Sequence, residues 1–221
     1  MKFVRSDVEG ATKALTKRLT AELAKNQPVL WLLSGGSNLK ITVEVMKALP
    51  DEATKNLAIF LGDERYGEIG HVHSNGKQLM DAGFAAKQAV FVPTLVPGFS
   101  LDETRQRYEE AIGRAFERAK VIIGQFGIGS DGHIAGILPN SEAVEAEGWV
   151  TAYETHEHTR VTLTFEALRK VTAAYACAFG EDKKLALTQL RDESLTLAEQ
   201  PSQILKEISE SYVYNDQIGE K

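Results

Sequence analysis

The stretch VIIGQFGIGSDGHIAGILPNS, residues 121–141, decides how this chain is read. Its opening run, residues 121–126, carries no charge, the pattern of a strand covered on both faces. The adjoining Gly127-x-Gly129-x-x-Gly132 scans as the glycine fingerprint of a dinucleotide-binding turn, yet the last glycine is wedged between Asp131 and His133. Such a fingerprint belongs to the first strand–helix unit of its fold and wants an acidic residue at a strand end about 20 residues on. Here it lies past mid-chain, and no comparable acid stands out. The glycines therefore read as shaping a loop around His133. A carboxylate two residues away is placed to orient an imidazole whose ordinary pKa of ~6.5 suits proton transfer near neutrality.

Outward from this loop, strands and helices alternate. Residues 29–33 and 57–61 are short, apolar and uncharged, as buried strands are. Ser6-x-x-Glu9 predicts a capping box opening a helix with Val8, Leu15, Leu19 and Leu23 at helical spacing. A second helix is predicted over 38–49, stopped by Pro50. Ser100-x-x-Glu103 predicts another capping box, followed by a core-facing stripe of Leu101, Tyr108, Ile112, Ala115, Phe116 and Ala119. Further strands are expected at 149–153, 160–164 and 172–179, a helix at 181–192, and weaker structure after Pro201. This order predicts an α/β fold: a Rossmann-like, doubly wound, mostly parallel sheet with helices on both faces. The Gly/Pro-containing region 93–100 reads as a loop within one domain spanning 1–221, not as a linker.

Composition narrows the partners. At 221 residues, 43% hydrophobic and 25% charged, the chain has the make-up of an ordinary soluble globule. A formal charge of −6 without a basic block argues against nucleic acid and leaves room for a local cationic pocket that takes one small anion. Cys177, the only cysteine, sits in the apolar run AAYACAF and reads as a buried hydrophobe in a reducing compartment. MKFVRSDVEGATKAL lacks a signal-peptide pattern and nowhere do 18 apolar residues run together, so the expectation is a cytoplasmic protein without membrane contact. The composition is silent on oligomeric state.

In an open α/β sheet, ligands bind outside the carboxyl ends of the strands. Three loops meet that condition. Ser34-Gly35-Gly36-Ser37 follows one buried strand and precedes a helix, so free amides and hydroxyls suit a phosphate, although a plain tight turn uses the same residues. Gly62-Asp63-Glu64-Arg65 places three ionisable side chains at a second strand's exit, where they are solvated, paired or used. Ser74-Asn75 downstream is suited to cap a helix reaching toward the same mouth. The third loop carries Asp131 and His133. Arg160 begins the strand RVTLT, and Lys183 follows Gly180 at the exit of AAYACAF, where it can meet a phosphate as a point charge. His71-x-His73 and His156-x-His158 lack the thiols or spaced carboxylates of a metal site and read as solvated loop residues; neither a metal nor a cofactor is expected.

In register, SGGS, GDER, SN, GIGSDGHIAGILP, RVTLT and GEDK resemble the 6-phosphogluconolactonase family over residues 30–205. The wider superfamily includes glucosamine-6-phosphate deaminase. The resemblance implies hydrolysis of 6-phospho-D-glucono-1,5-lactone to 6-phosphogluconate, a step of the oxidative pentose phosphate pathway. With it, His133 becomes the general base, Asp131 its orienting partner, and Arg65 or nearby backbone amides the oxyanion stabiliser, while Ser34, Gly35, Gly36, Ser37, Asp63, Arg65, Gly132, Arg160 and Lys183 are assigned to the sugar phosphate. Deaminases resemble DEY where this chain has Asp63-Glu64-Arg65 and SYH where it has Ser74-Asn75-Gly76. They also carry a glutamate five residues after the histidine, here Leu138. The lactonase pattern reads SGGSTP and DGHTASLFP, whereas this chain has Asn38-Leu39 and Ile134 to Pro139, and YGEIGHVH replaces a proline-containing loop. The alternatives are a deaminase or isomerase of an amino-sugar phosphate, and a sugar-phosphate sensor without turnover.

Overall fold

The computed structural model describes residues 1–220. In chain order its elements are β1 (Lys2–Arg5), α1 (Val8–Leu23), β2 (Val29–Leu33), α2 (Leu39–Ala48), β3 (Leu57–Leu61), β4 (Asp63–Arg65), α3 (Asn75–Asp81), β5 (Val90–Val92), α4 (Leu101–Arg118), β6 (Val121–Phe126), β7 (Val150–Glu154), β8 (Thr159–Leu163), α5 (Phe165–Leu168), β9 (Ala173–Ala178), α6 (Lys184–Asp192) and β10 (Glu210–Asn215). Seven strands form one sheet in the order β1-β10-β9-β6-β2-β3-β5, every neighbouring pair parallel. The predicted doubly wound architecture is the one observed.

The central strands show why. Every residue of β2 is buried, and successive side chains enter opposite cores: Leu30 and Leu32 join one, Val29, Trp31 and Leu33 the other. One core is closed by apolar residues of α1, α2 and α3, including Leu15, Leu19, Val45 and Leu79. The opposite core is closed by α4, α5 and α6 through Tyr108, Ile112, Leu168 and Leu187. The chain runs from β2 outward through β3 to β5, then returns to the other side of β2 with β6. The strand order therefore reverses between β2 and β6, and the loops leaving these two strands stand side by side.

Several expectations need correction. The first helix is capped by Asp7, whose carboxylate accepts from Gly10 N at 2.8 Å, and not by Ser6; the two candidate caps are adjacent, and periodicity does not separate them. β7 and β8, expected in the main sheet, form a small antiparallel sheet with β4, the Asp-Glu-Arg segment read as part of a loop. The tail after Pro201 is more regular than expected, since β10 is inserted between β1 and β9. The Ser100 capping box is present in both halves, with Ser100 N donating to Glu103 at 2.8 Å. Among the described residues, no helix is long and apolar enough to cross a membrane.

Candidate active site

At the carboxyl ends of β2, β3, β6 and β9 lies a cleft of about 200 Å³. Ser34, Gly35, Gly36 and Ser37 line it, with Asp63, Arg65, His133, Arg160 and Lys183. Asp131 stands behind His133 outside the lining, and Gly132 does not line the cleft. The structure thus brings together three loops and two late cations separated by up to 149 positions in the chain.

The Ser34 loop continues the sheet for one more hydrogen bond, Ser34 N to Gln125 O at 2.9 Å, and then turns through a short 3-10 segment into α2. No side chain caps that helix start. Its leading N–H groups, which an α-helix leaves without internal partners, are therefore open to an anion. Two amides hold the start in place: Asn38, noted in the sequence only as a departure from the SGGSTP pattern, and Gln125, which the motifs do not include. Gln125 donates to Asn38 O at 3.0 Å and accepts from Thr42 Oγ1 at 3.1 Å, while Asn38 Nδ2 donates to Cys177 O at 3.3 Å. A signal existed: Gln125 is the one polar side chain in the run 121–126, and a polar group there needs partners. The partners themselves lie 83 to 139 residues away.

Across the cleft, Asp63 is 7% exposed and faces two guanidinium groups, Arg160 Nη1 at 3.3 Å and Arg65 Nε at 3.9 Å. One carboxylate against two guanidiniums leaves a local positive excess. The Nε atoms of both arginines are buried without a protein hydrogen-bond partner, whereas Arg65 Nη1 donates to His73 O at 3.0 Å. Lys183, whose Nζ lies 3.0 Å from Asp182, adds a third cation. The environment favours a ligand with concentrated negative charge.

His133 Nδ1 lies 2.6 Å from Asp131 Oδ1, and the same oxygen accepts from His133 N at 3.1 Å. An ionised carboxylate can only accept, so Nδ1 donates in this pair and Nε2 is the ring nitrogen outside it. Burial pushes the Asp131 carboxyl up, but the hydrogen bond and charge of His133 together with backbone N–H groups outweigh it, holding the group down at about 2. The pair lies against Gly129, where a Cβ would fall 2.1 Å from His133 Nδ1 and 2.4 Å from Asp131 Oδ1. Gly132 has φ +83° and makes the turn between acid and histidine. Of the three glycines in the dinucleotide-like spacing, Gly129 makes room for the imidazole and Gly132 makes the turn beside it, while Gly127 faces the Asn38 amide.

The segment after the histidine divides in two. Ile134 and Ile137 point into the core, fully buried, and Ala135 and Gly136 wall the cleft. Tyr153 fastens this turn by donating to Gly136 O at 2.6 Å. Leu138 is half-buried and lies outside the lining. On the rim, His71 Nε2 is 2.9 Å from Arg65 O, and His73 packs against His158 with the rings tilted by 41° and their centroids 4.7 Å apart; His156 is exposed. Burial, followed by His73, Arg65 and Arg160, lowers the His158 pKa. Cys177 is buried, and its thiol is pushed up to about 12 by that burial.

A parallel doubly wound sheet whose strand ends gather a histidine–carboxylate pair, a serine–glycine loop and three cations places the protein in the α/β class with its candidate site at the carboxyl edge of the sheet. Residues 6–214 match the family described as glucosamine-6-phosphate isomerases/6-phosphogluconolactonase, and the chain belongs to that family. It is similar to the 6-phosphogluconolactonase of Synechocystis, with 26% identity over 231 residues, 96% of this chain and 92% of that protein. Among solved structures, a 6-phosphogluconolactonase from Shewanella baltica matches with a TM-score of 0.80 at 21% identity, covering 97% of this chain and 96% of that one. A monomeric glucosamine-6-phosphate deaminase matches with a TM-score of 0.79 at 17% identity, covering 97% of both chains. The fold is common to both.

Proposed function

We propose that this protein hydrolyses 6-phospho-D-glucono-1,5-lactone to 6-phosphogluconate. The observation that carries the reading is the single cleft shared by an Asp131-oriented imidazole and the Ser34–Ser37 turn with Lys183, Arg65 and Arg160. In this reading His133 Nε2 takes a proton from water as its oxygen attacks the lactone carbonyl. Arg65 stabilises the oxyanion that develops, and the helix-start amides, Lys183 and Arg160 hold the phosphate. Collapse of the tetrahedral intermediate breaks the bond to the ring oxygen, which receives the proton held by His133. A nucleophilic side chain is not needed, because the lactone carbonyl is already open to attack by activated water. Asp63, ion-paired with Arg160, aligns the two guanidiniums.

The test is lactone hydrolysis measured above its spontaneous background. The wild type should accelerate it, and His133→Ala should lower kcat/KM by about 10²-fold or more with the fold intact, the usual scale of a general acid–base contribution. Wild-type turnover in that variant would overturn the assignment. Ammonia release from glucosamine 6-phosphate would support the deaminase instead, and ligand-induced thermal stabilisation without hydrolysis would indicate a sensor.

A further inference from the structure

Glu64 lies between two cleft residues, is 2% exposed, and takes no part in the proposed chemistry. Its carboxylate is fully engaged. Oε1 accepts from Arg65 N at 2.7 Å and Asn75 N at 2.6 Å; Oε2 accepts from Gly76 N at 2.8 Å and Ser74 Oγ at 3.0 Å. Ser74 Oγ in turn accepts from Lys77 N at 3.0 Å as the cap of α3. A carboxylate on β4 therefore holds the open N–H groups at the start of α3, where negative charge is favoured. Burial still raises its pKa against the pull of Gly76, Asn75, Arg65 and Ser74. A buried charge is a poor source of net stability. What it positions is the better account of its presence.

The positioned residue is Asn75. It is wholly buried and lines the cleft, and its Nδ2 donates to Asp63 O at 2.9 Å. The opposite side of the amide lies flat on the phosphate-type loop: a Cβ at Gly35 would fall 2.0 Å from Asn75 Oδ1 and 2.3 Å from its Cγ. Oδ1 has no hydrogen-bond partner. It occupies the space a side chain at Gly35 would need. Gly35 has φ −77°, an ordinary backbone angle, so close approach and not conformation excludes a larger residue. Asn75 is thus a spacer between the exits of β2 and β3.

We infer that Glu64 and Asn75 are positioning residues for anion binding: the Glu64 carboxylate fixes the Asn75 backbone, and the Asn75 amide sets the distance between the Gly35 loop and the Asp63–Arg65 strand. The opposed donors, loop amides on one side and the Arg65 guanidinium on the other, are thereby held one ligand apart. This rests on the reading of residues 34–37 as the anion seat and deepens it.

The experiment uses the full chain, inorganic phosphate as a calorimetric probe, and lactone kinetics. Asn75→Ala should raise the phosphate Kd and the lactone KM by about tenfold and change kcat by less than about threefold, the pattern of lost uniform binding. Glu64→Gln keeps the shape but turns one acceptor oxygen into a donor facing a backbone N–H, and should raise both constants by about threefold. The double variant should be no worse than Asn75→Ala alone, because both act through one contact. If Asn75→Ala fails to fold, Gly35→Ala approaches the same contact from the loop side and should weaken phosphate similarly. Unchanged phosphate affinity in Asn75→Ala or Gly35→Ala, multiplicative effects in the double variant, or a loss confined to kcat would overturn the inference. A wild type that binds phosphate but hydrolyses no lactone would remove the proposed function alone. Lactone hydrolysis with phosphate affinity indifferent to Asn75 and Glu64 would remove only the positioning role.

Discussion

Gly129→Ala isolates the placement of the imidazole from its chemistry. A Cβ at this position would lie 2.1 Å from His133 Nδ1 and 2.3 Å from its Cε1, whereas ordinary contact begins near 3.4 Å. The ring must therefore retreat by about 1.3 Å, the difference between 3.4 and 2.1 Å. It is free to do so, because the His133 and Asp131 side chains are 36% and 48% exposed and yield before the backbone does. Gly129 has no positive φ, so alanine is compatible with its conformation. Reduced freedom of the unfolded chain offsets part of the displacement cost, and the net change in stability should stay within ~1 kcal/mol. A misplacement of about 1 Å costs on the order of 10²-fold in rate, or ~2.7 kcal/mol in the barrier. The assay is steady-state lactone hydrolysis beside a thermal melt. Turnover should fall about 100-fold with KM and Tm close to wild type, and in a His133→Ala background the substitution should cost nothing further. Wild-type kcat in folded Gly129→Ala would refute the claim that ring position sets the rate.

Three other outcomes test the remaining parts of the site. Lys183→Ala should chiefly raise KM, as expected of a contact equally strong in ground and transition states; an unchanged KM removes Lys183 from the phosphate seat. The folded pKa of Asp131, about 2, lies below its ordinary 3.8, so its stabilising contribution is present above pH ~4 and is lost as pH falls toward 2. In a carboxyl NMR titration the wild-type midpoint should sit near 2 and move up in His133→Ala; a wild-type midpoint at 3.8 contradicts the pairing. Tyr153→Phe strips a hydroxyl from the buried Gly136 carbonyl and should cost ~1–3 kcal/mol in denaturant unfolding. An unchanged midpoint would show that the turn after His133 stands without that hydrogen bond.

A feature is legible in the chain to the extent that it is determined locally. β2, β3 and β6 announce themselves because a strand covered on both faces needs an unbroken uncharged run. β10 does not, although its burial alternates, because its buried positions include Ser211 and Asn215, polar residues satisfied locally. Ser211 Oγ donates to Leu205 O at 2.6 Å, and Asn215 Oδ1 accepts from Gln217 N and Ile218 N at 2.9 and 2.7 Å. Hydrophobic periodicity is blank there. β7 and β8 are visible as strands, but sheet membership is a tertiary fact, set by the pairing of β8 to a segment almost 100 residues earlier. In the site, the Asp131–His133 pair is two residues wide and readable. Which of Asp63, Glu64 and Arg65 is solvated, paired or structural is settled only by Arg160 and Asn75, residues brought in from distant elements.

Lactonase and deaminase share this fold almost equally, with TM-scores of 0.80 and 0.79, so the distinction between them has to lie in side chains that meet the ligand. The ionisable side chains lining this cleft include Asp63, Arg65, His133, Arg160 and Lys183. The one carboxylate among them, Asp63, is committed to Arg160 at 3.3 Å, and Asp131 is committed to His133 at 2.6 Å. A carboxylate free of an ion pair is therefore absent from the lining among the described residues, and Leu138 lies outside it. One imidazole, three cations and no carboxylate free of an ion pair are the groups that the proposed hydrolysis calls on. The altered flank after the histidine leaves this inventory untouched, because Ile134 and Ile137 are spent on the core while Ala135 and Gly136 supply the wall.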